Sequence, residues 1–141
     1  MEGGASLYPW IVAENEIGAL VGYAYASAFR QRPAYRFTVE TSVYLGPGAQ
    51  RQGLGSRLYR SLLATLEGQG FAQAIAAITL PNPPSLRLHE RVGFAEAGVY
   101  SKVGYKLGEW RDVALWQRPL AATANPPREP RPIGESGLVL L

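Results

Sequence analysis

Apolar residues along the chain fall mostly into short alternating or continuous runs, interrupted by one long stretch of four-residue spacing. Residues 8–14 and 18–29 are rich in aromatic and β-branched side chains and flank the polar turn Asn15-Glu16-Ile17-Gly18, which predicts a β-hairpin. In residues 34–45, Tyr35, Phe37 and Val39 alternate with Arg36, Thr38 and Glu40 before the phase shifts near Thr41 and Ser42 into Val43 and Leu45. This reads as a strand with a local irregularity. Leu54, Leu58, Leu62 and Leu66 then recur every fourth residue up to Gly68 and Gly70, so residues 54–70 form a helix with a glycine stop. Residues 71–80 are apolar nearly throughout, as in a strand covered on both faces, although their alanines also suit a helix. Asn82 can cap a short helix whose first turn holds Pro83 and Pro84 and which stops at Gly93. Two more strands follow in residues 94–120, joined around Gly108. The order predicts one mixed α/β sheet with a crossover helix, in a domain of residues 1–120. From residue 121 on, the proline-rich sequence is expected to run over the surface or to lack order.

With 141 residues, 47% of them hydrophobic, the chain can bury one core and has no room for a second full domain. It has no cysteine and a single histidine, His89. That excludes disulfides and a cysteine nucleophile and argues against a metal centre. The first residues lack the pattern of a signal peptide and no apolar run reaches membrane-spanning length, so a cytoplasmic location is expected and no membrane partner. A formal charge of +3 spread over scattered basic residues gives nucleic-acid binding little support and suits a small anionic ligand better.

The segment LGPGAQRQGLGSRLY, residues 45–59, places four glycines in a loop that opens the main helix. Glycine there either serves a plain helix entrance or lets the backbone approach an anion at the positive end of the helix. The loop is no P-loop, because no lysine separates Gly55 from Ser56. It is no dinucleotide fingerprint either, because Leu58 stands where a third glycine is required. Gln50-Arg51-Gln52-Gly53-Leu54-Gly55 instead resembles the Gln/Arg-x-x-Gly-x-Gly/Ala signature of the GNAT superfamily of acetyl-CoA-dependent N-acetyltransferases. Asn82, Ser85 and His89, in a short helix ending at Gly93-Phe94, resemble the second signature of that superfamily. The blocks ETSVYLGPGAQRQGLGSRLY, LPNPPSLRLHERVGF and GYKLGEWRDVALWQ together resemble the phosphinothricin and methionine sulfoximine N-acetyltransferases.

The resemblance implies a mostly antiparallel mixed sheet with splayed central parallel strands and flanking helices, binding acetyl-CoA as cosubstrate, in a protein that forms a homodimer. Relatives begin with a further strand and two helices whose place is taken here by residues 1–7, so a truncated substrate wall is expected. In the family, backbone N–H groups of the loop hold the coenzyme A pyrophosphate, which assigns Gln50, Arg51, Gln52, Gly53, Leu54, Gly55 and Ser56 to the cofactor. Val43 and Leu45 are placed to pair with the pantetheine arm like a neighbouring strand. A backbone N–H near Tyr44 would meet the oxyanion. Asn82 and Ser85 complete the cofactor set, with Asn82 equally readable as a helix cap.

Glu40 matches the carboxylate that acts as general base in the family; without that match it reads as an exposed or cross-strand-paired glutamate. His89 matches the histidine beside the thioester, where it protonates the leaving thiolate or assists deprotonation; otherwise it is a packing residue. Arg32, Tyr35 and Arg36 are candidates for the acidic group of an amino-acid-like acceptor, or surface residues. Two other readings remain: an acetyltransferase for another amine, such as a protein N-terminus or a polyamine, and a module that binds acetyl-CoA without turnover.

Overall fold

The computed structural model describes residues 6–47, 53–137 and 139–140. The first hairpin is β1 (Trp10–Glu14) and β2 (Leu20–Ala28), paired antiparallel. Gly18 closes its turn at φ 83°, while the Asn15 side chain accepts from the N–H groups of Ile17 and Ala19. β3 (Thr38–Leu45) runs antiparallel to β2, and α1 (Leu54–Gln69) then crosses over to β4 (Gln73–Thr79), which lies parallel to β3. α2 (Pro83–Arg91) leads into the long hairpin of β5 (Ala95–Lys106) and β6 (Glu109–Pro119). The sheet order is β1-β2-β3-β4-β6-β5, with β3–β4 the only parallel pair among the described residues. This is the mixed, mostly antiparallel architecture that the sequence predicts.

One face of the sheet carries the core. Ile11, Ala24, Ala26, Val39, Ala74 and Ala76 are buried against Leu58, Tyr59, Leu62, Leu63 and Leu66 of α1, with Phe71, Val92 and Phe94 closing the sides. Small residues on the strands let the large leucines of α1 lie close to the sheet, as close packing requires. The four-residue leucine stripe is thus the buried face of α1. Gly70, at φ 96°, ends this helix as its C-cap.

The structure differs from the sequence expectations in three places. Residues 34–37 do not extend β3. Pro33–Tyr35 form a single 3-10 turn, because Pro33 fixes the first φ and the N–H of Arg36 bonds back to its carbonyl. β3 has no shift of phase: it pairs in unbroken register with β2 from Val39↔Ala28 to Leu45↔Gly22, with Thr41 on the core side. A polar residue fits there because its Oγ1 lies 2.6 Å from the buried Tyr59 hydroxyl. β4 is a strand, but Ala77 and Thr79 are exposed, so only its core side is covered.

The opposite face of the sheet is open at one end. Trp10 stacks on Tyr25 at 4.3 Å between ring centroids, and Tyr23 stacks on both Trp10 and Tyr44 at 5.3 Å. The segment after β6 runs back beside the end of α1, where the N–H groups of Leu120 and Ala121 bond to Ala72 and Phe71. Gln69, fully buried, donates to the carbonyls of Leu7 and Arg131, and Ile133 is buried at the start of a one-turn helix, Ile133–Ser136.

Candidate active site

The parallel pairing of β3 and β4 covers only Thr38↔Gln73, Val39↔Ala74 and Glu40↔Ile75. Beyond that point both strands continue without each other, to Leu45 and Thr79. The parting opens a cleft of about 470 Å³ between Thr41–Val43 on one side and Ala77–Asn82 on the other, with Ser85 and His89 of α2 and the tip of the β5–β6 hairpin around it. A second groove, about 640 Å³, continues from it past Val43, Asn82 and Ser85 to Tyr44, Leu45, Gly53, Arg87 and Arg91. The two share Val43, Asn82 and Ser85, which makes one channel from the entrance of α1 to His89.

At the α1 end, Gly53 is the N-cap in the left-handed conformation, φ 73° and ψ 3°, and a Cβ there would meet only open space. Backbone geometry, not crowding, calls for this glycine. Gly55 is different: a Cβ would lie 3.1 Å from Leu45 and 3.4 Å from Leu88, so it lets α1 approach β3 and α2. Leu54 packs on the core, and the buried Ser56 Oγ has no partner among the described residues. Gln50, Arg51 and Gln52 lie outside the described residues. No acidic residue stands in the first turn of α1, which leaves the positive end of the helix dipole uncompensated by its own side chains.

At the other end, Asn82 caps α2 by accepting from the N–H of Ser85 at 3.3 Å. The Ser85 carbonyl in turn lies 2.7 Å from Nδ1 of His89. A carbonyl only accepts, so Nδ1 carries the hydrogen and Nε2 keeps its lone pair. The ring is 4% exposed, wedged edge-on against Tyr59 and Phe94. Burial lowers its pKa below the ordinary 6.5, with the Ser85 bond opposing the shift in part. His89 is therefore a neutral proton acceptor near pH 7.

Glu40 occupies the last β3–β4 pair, at the fork itself, half-buried and with its side chain on the face away from α1. Among the described residues its carboxylate has no hydrogen-bond or ion-pair partner. Val43 and Leu45 line the groove, with the backbone of Thr41–Leu45 facing it unpaired on the β4 side. Tyr44 also lines it, half-exposed and stacked on Tyr23.

Arg32, Tyr35 and Arg36 are not brought to this cleft. Arg32 and Tyr35 line a separate shallow hollow with Phe29 and Arg30. Arg36 is occupied elsewhere: its Nε and Nη2 donate to the Glu129 carboxylate at 2.7 and 2.6 Å, and Nη1 donates to the Pro33 carbonyl. In this structure the Arg36 guanidinium is thus paired with a carboxylate of the chain itself, at an exposed site. Sequence reasoning missed Arg87 and Arg91, whose i, i+4 spacing on α2 could have been noticed, and Lys106 and Arg111, which only the folding back of the second hairpin brings to the cleft.

A sheet parted between its one parallel pair, with a glycine-capped helix at one end of the gap and a neutral histidine at the other, suits a long, strand-like ligand with phosphates at its far end. The chain belongs to the acetyltransferase (GNAT) family, whose model matches residues 2–94. It is 50% identical over 126 residues to phosphinothricin N-acetyltransferase of Streptomyces viridochromogenes, which covers 89% of this chain and 68% of that protein. It is 37% identical over 120 residues to the L-methionine sulfoximine/L-methionine sulfone acetyltransferase of Pseudomonas aeruginosa, over 85% of this chain and 70% of that one. Among solved structures, the phosphinothricin acetyltransferase of Sinorhizobium meliloti in complex with AcCoA superposes with a TM-score of 0.82 at 48% identity, over 86% of this chain and 66% of that chain. The chain thus spans about two-thirds of the length of these proteins.

Proposed function

We propose that the chain transfers an acetyl group from acetyl-CoA to the amino group of a small amino-acid-like acceptor such as phosphinothricin or methionine sulfoximine. The observation that carries this reading is the single channel joining Gly53, Arg87 and Arg91 to His89 through the parted strands. Bound acetyl-CoA supplies a thioester on which an amine forms an N–C bond as the C–S bond breaks, the amine losing a proton and the thiolate gaining one. The residues present fit such a ligand. The entrance of α1, with Arg87 and Arg91, offers positive charge and backbone donors for phosphates, and the unpaired backbone edge of Thr41–Leu45 offers amide partners for the pantetheine arm.

Glu40 and His89 divide the proton handling. Glu40, at the fork on the outer face, takes the amine proton directly or through water. His89, neutral with the Nε2 lone pair free to accept, would take the second proton, which the nitrogen sheds as the N–C bond forms, and pass it to the thiolate. It does not begin as the acid, because burial holds it unprotonated near neutral pH. Gln50, Arg51, Gln52, Gly53, Leu54, Gly55 and Ser56 serve as the phosphate end, and residues 1–120 form the acetyltransferase domain with 121–141 as its tail. Cytoplasmic acetyl-CoA is the natural supply.

The protein works as a homodimer in this reading, which the aromatic face of the partly buried Tyr23 and Tyr25 and the exposed Trp10 and Tyr44 supports. Light scattering at tens of micromolar, about the range of ordinary assays, is expected to give twice the chain mass, and a monomer there rejects the dimer. The activity is tested by following thiol release from acetyl-CoA with phosphinothricin and with methionine sulfone. Turnover with either supports the transfer reading. Tight acetyl-CoA binding by folded protein with no turnover on either overturns it in favour of a binding module.

A further inference from the structure

The reactive end of the channel carries two cations that the acetyl donor does not use. Lys106 and Arg111 line the cleft beside His89, whereas the groove at the α1 end is served by Arg87 and Arg91. No acidic side chain lines the His89 cleft among the described residues, and His89 itself is neutral there. The thioester end of the donor is uncharged, so it offers these two cations no counter-charge.

Arg111 is placed there by the shape of the second hairpin. The β5–β6 register shifts between Tyr100↔Val113 and Gly104↔Arg111, where three β5 residues face Asp112 alone. Lys102 sits in this bulge at φ 52°, its N–H bonded to Asp112 Oδ1 at 2.9 Å. Bulges bend and twist a hairpin, and this one lies where the hairpin passes the end of β4, held by the Leu80 N–H to the Asp112 carbonyl. Alternation along β6 puts Arg111 on the same face as Val113 and Leu115, which is the face of Glu40. Its side chain is 20% exposed, and its one ion-pair partner among the described residues is Glu109, through Nη2 at 3.0 Å. The Nε and Nη1 donors of the guanidinium have no acceptor among the described residues.

We propose that Arg111, assisted by Lys106, holds the carboxylate of the acetyl acceptor and so restricts the enzyme to amines that carry an acid group. The proposal rests on the acetyl-transfer reading for the direction of approach. An α-amino acid presents its carboxylate one carbon from the amine, so both groups must enter the same cleft. A guanidinium meets a carboxylate with parallel N–H bonds, which would also turn the amine toward the fork at Glu40.

The test is calorimetric titration of L-methionine sulfone, and of its carboxamide, into the full chain saturated with CoA. Wild type is expected to bind the acid more tightly than the amide. Arg111→Gln should weaken the acid by roughly 10- to 100-fold, the worth of a hydrogen-bonded charge, with little change for the amide. Arg111→Lys should recover part of the loss, and Lys106→Gln should give a smaller one. Equal binding of acid and amide by wild type, no binding of the acid, or an unchanged acid affinity in a folded Arg111→Gln each overturns the proposal. Acid-selective binding that depends on Arg111, without acetyl transfer, would retain this site and reject the transfer reading instead.

Discussion

Nδ1 of His89 donates to the carbonyl of Ser85, one turn earlier on α2, at 2.7 Å. That bond fixes the tautomer, and burial among Tyr59 and Phe94 disfavours the charged ring. Because the folded pKa lies below 6.5, the unfolded chain holds the extra proton between the two values. Stability is therefore full above about pH 6.5 and declines as the pH falls toward the folded pKa. Urea unfolding from pH 8 to pH 5 is expected to show that decline, and His89→Gln is expected to flatten it. The acid limb of kcat/KM should likewise lie below pH 6.5 where His89 acts as the base.

Glu40→Gln keeps the shape at the fork and removes the carboxylate. Turnover should fall by roughly 10²–10⁴-fold, while acetyl-CoA affinity, measured by calorimetry, hardly changes. Full activity in this variant would move the base elsewhere, with His89 the next candidate.

The Thr41–Tyr59 pair is a buried hydrogen bond in an apolar setting, and burial pushes the Tyr59 hydroxyl pKa well up. Tyr59→Phe strands the Thr41 hydroxyl and should cost about 1–3 kcal/mol in urea unfolding. Removing both partners, Tyr59→Phe with Thr41→Val, should cost less than the sum of the single changes.

The two glycines at the α1 entrance should respond differently. Gly53→Ala puts a Cβ into open space but keeps a left-handed backbone, at a cost of roughly 1–2 kcal/mol. Gly53→Asp adds negative charge where phosphates are proposed to sit, and should weaken acetyl-CoA binding more than it weakens the fold. Gly55→Val presses on Leu45 and Leu88 and should lower stability and binding together. Thermal unfolding and calorimetry on the same samples separate the three.

Local patterns revealed much of this molecule. The leucine spacing of α1, the Asn82 cap and the turns at Gly18 and Gly108 are set by neighbouring residues, so they could be read directly. Thr41 could not, because what keeps a polar residue in phase on the core side is Tyr59, eighteen positions away on another element. Ile133 is buried within a proline-rich stretch because the end of α1 offers it a place, which composition does not disclose. Arg36 shows the same limit: guanidinium chemistry points to an anion, and the one it meets in this structure, Glu129, lies ninety-three positions away. Lys106 and Arg111 reach the cleft only through the bulge and overhang of a hairpin, a property of tertiary structure.

Gln69 ties both ends of the described chain to one helix. Its amide holds the Leu7 and Arg131 carbonyls together, and the Ile133 N–H bonds to the Ser6 carbonyl beside them. Contacts between residues so far apart along the chain close the largest loops in the fold, and such closures come late because their entropy must be met before other contacts repay it. By that argument the sheet and α1 are expected to form before these end-to-end contacts. The same contacts are expected to open first in the native state, so amide exchange near residues 131–133 should outpace that of β3 and α1, reporting the release of the tail before any loss of the cleft.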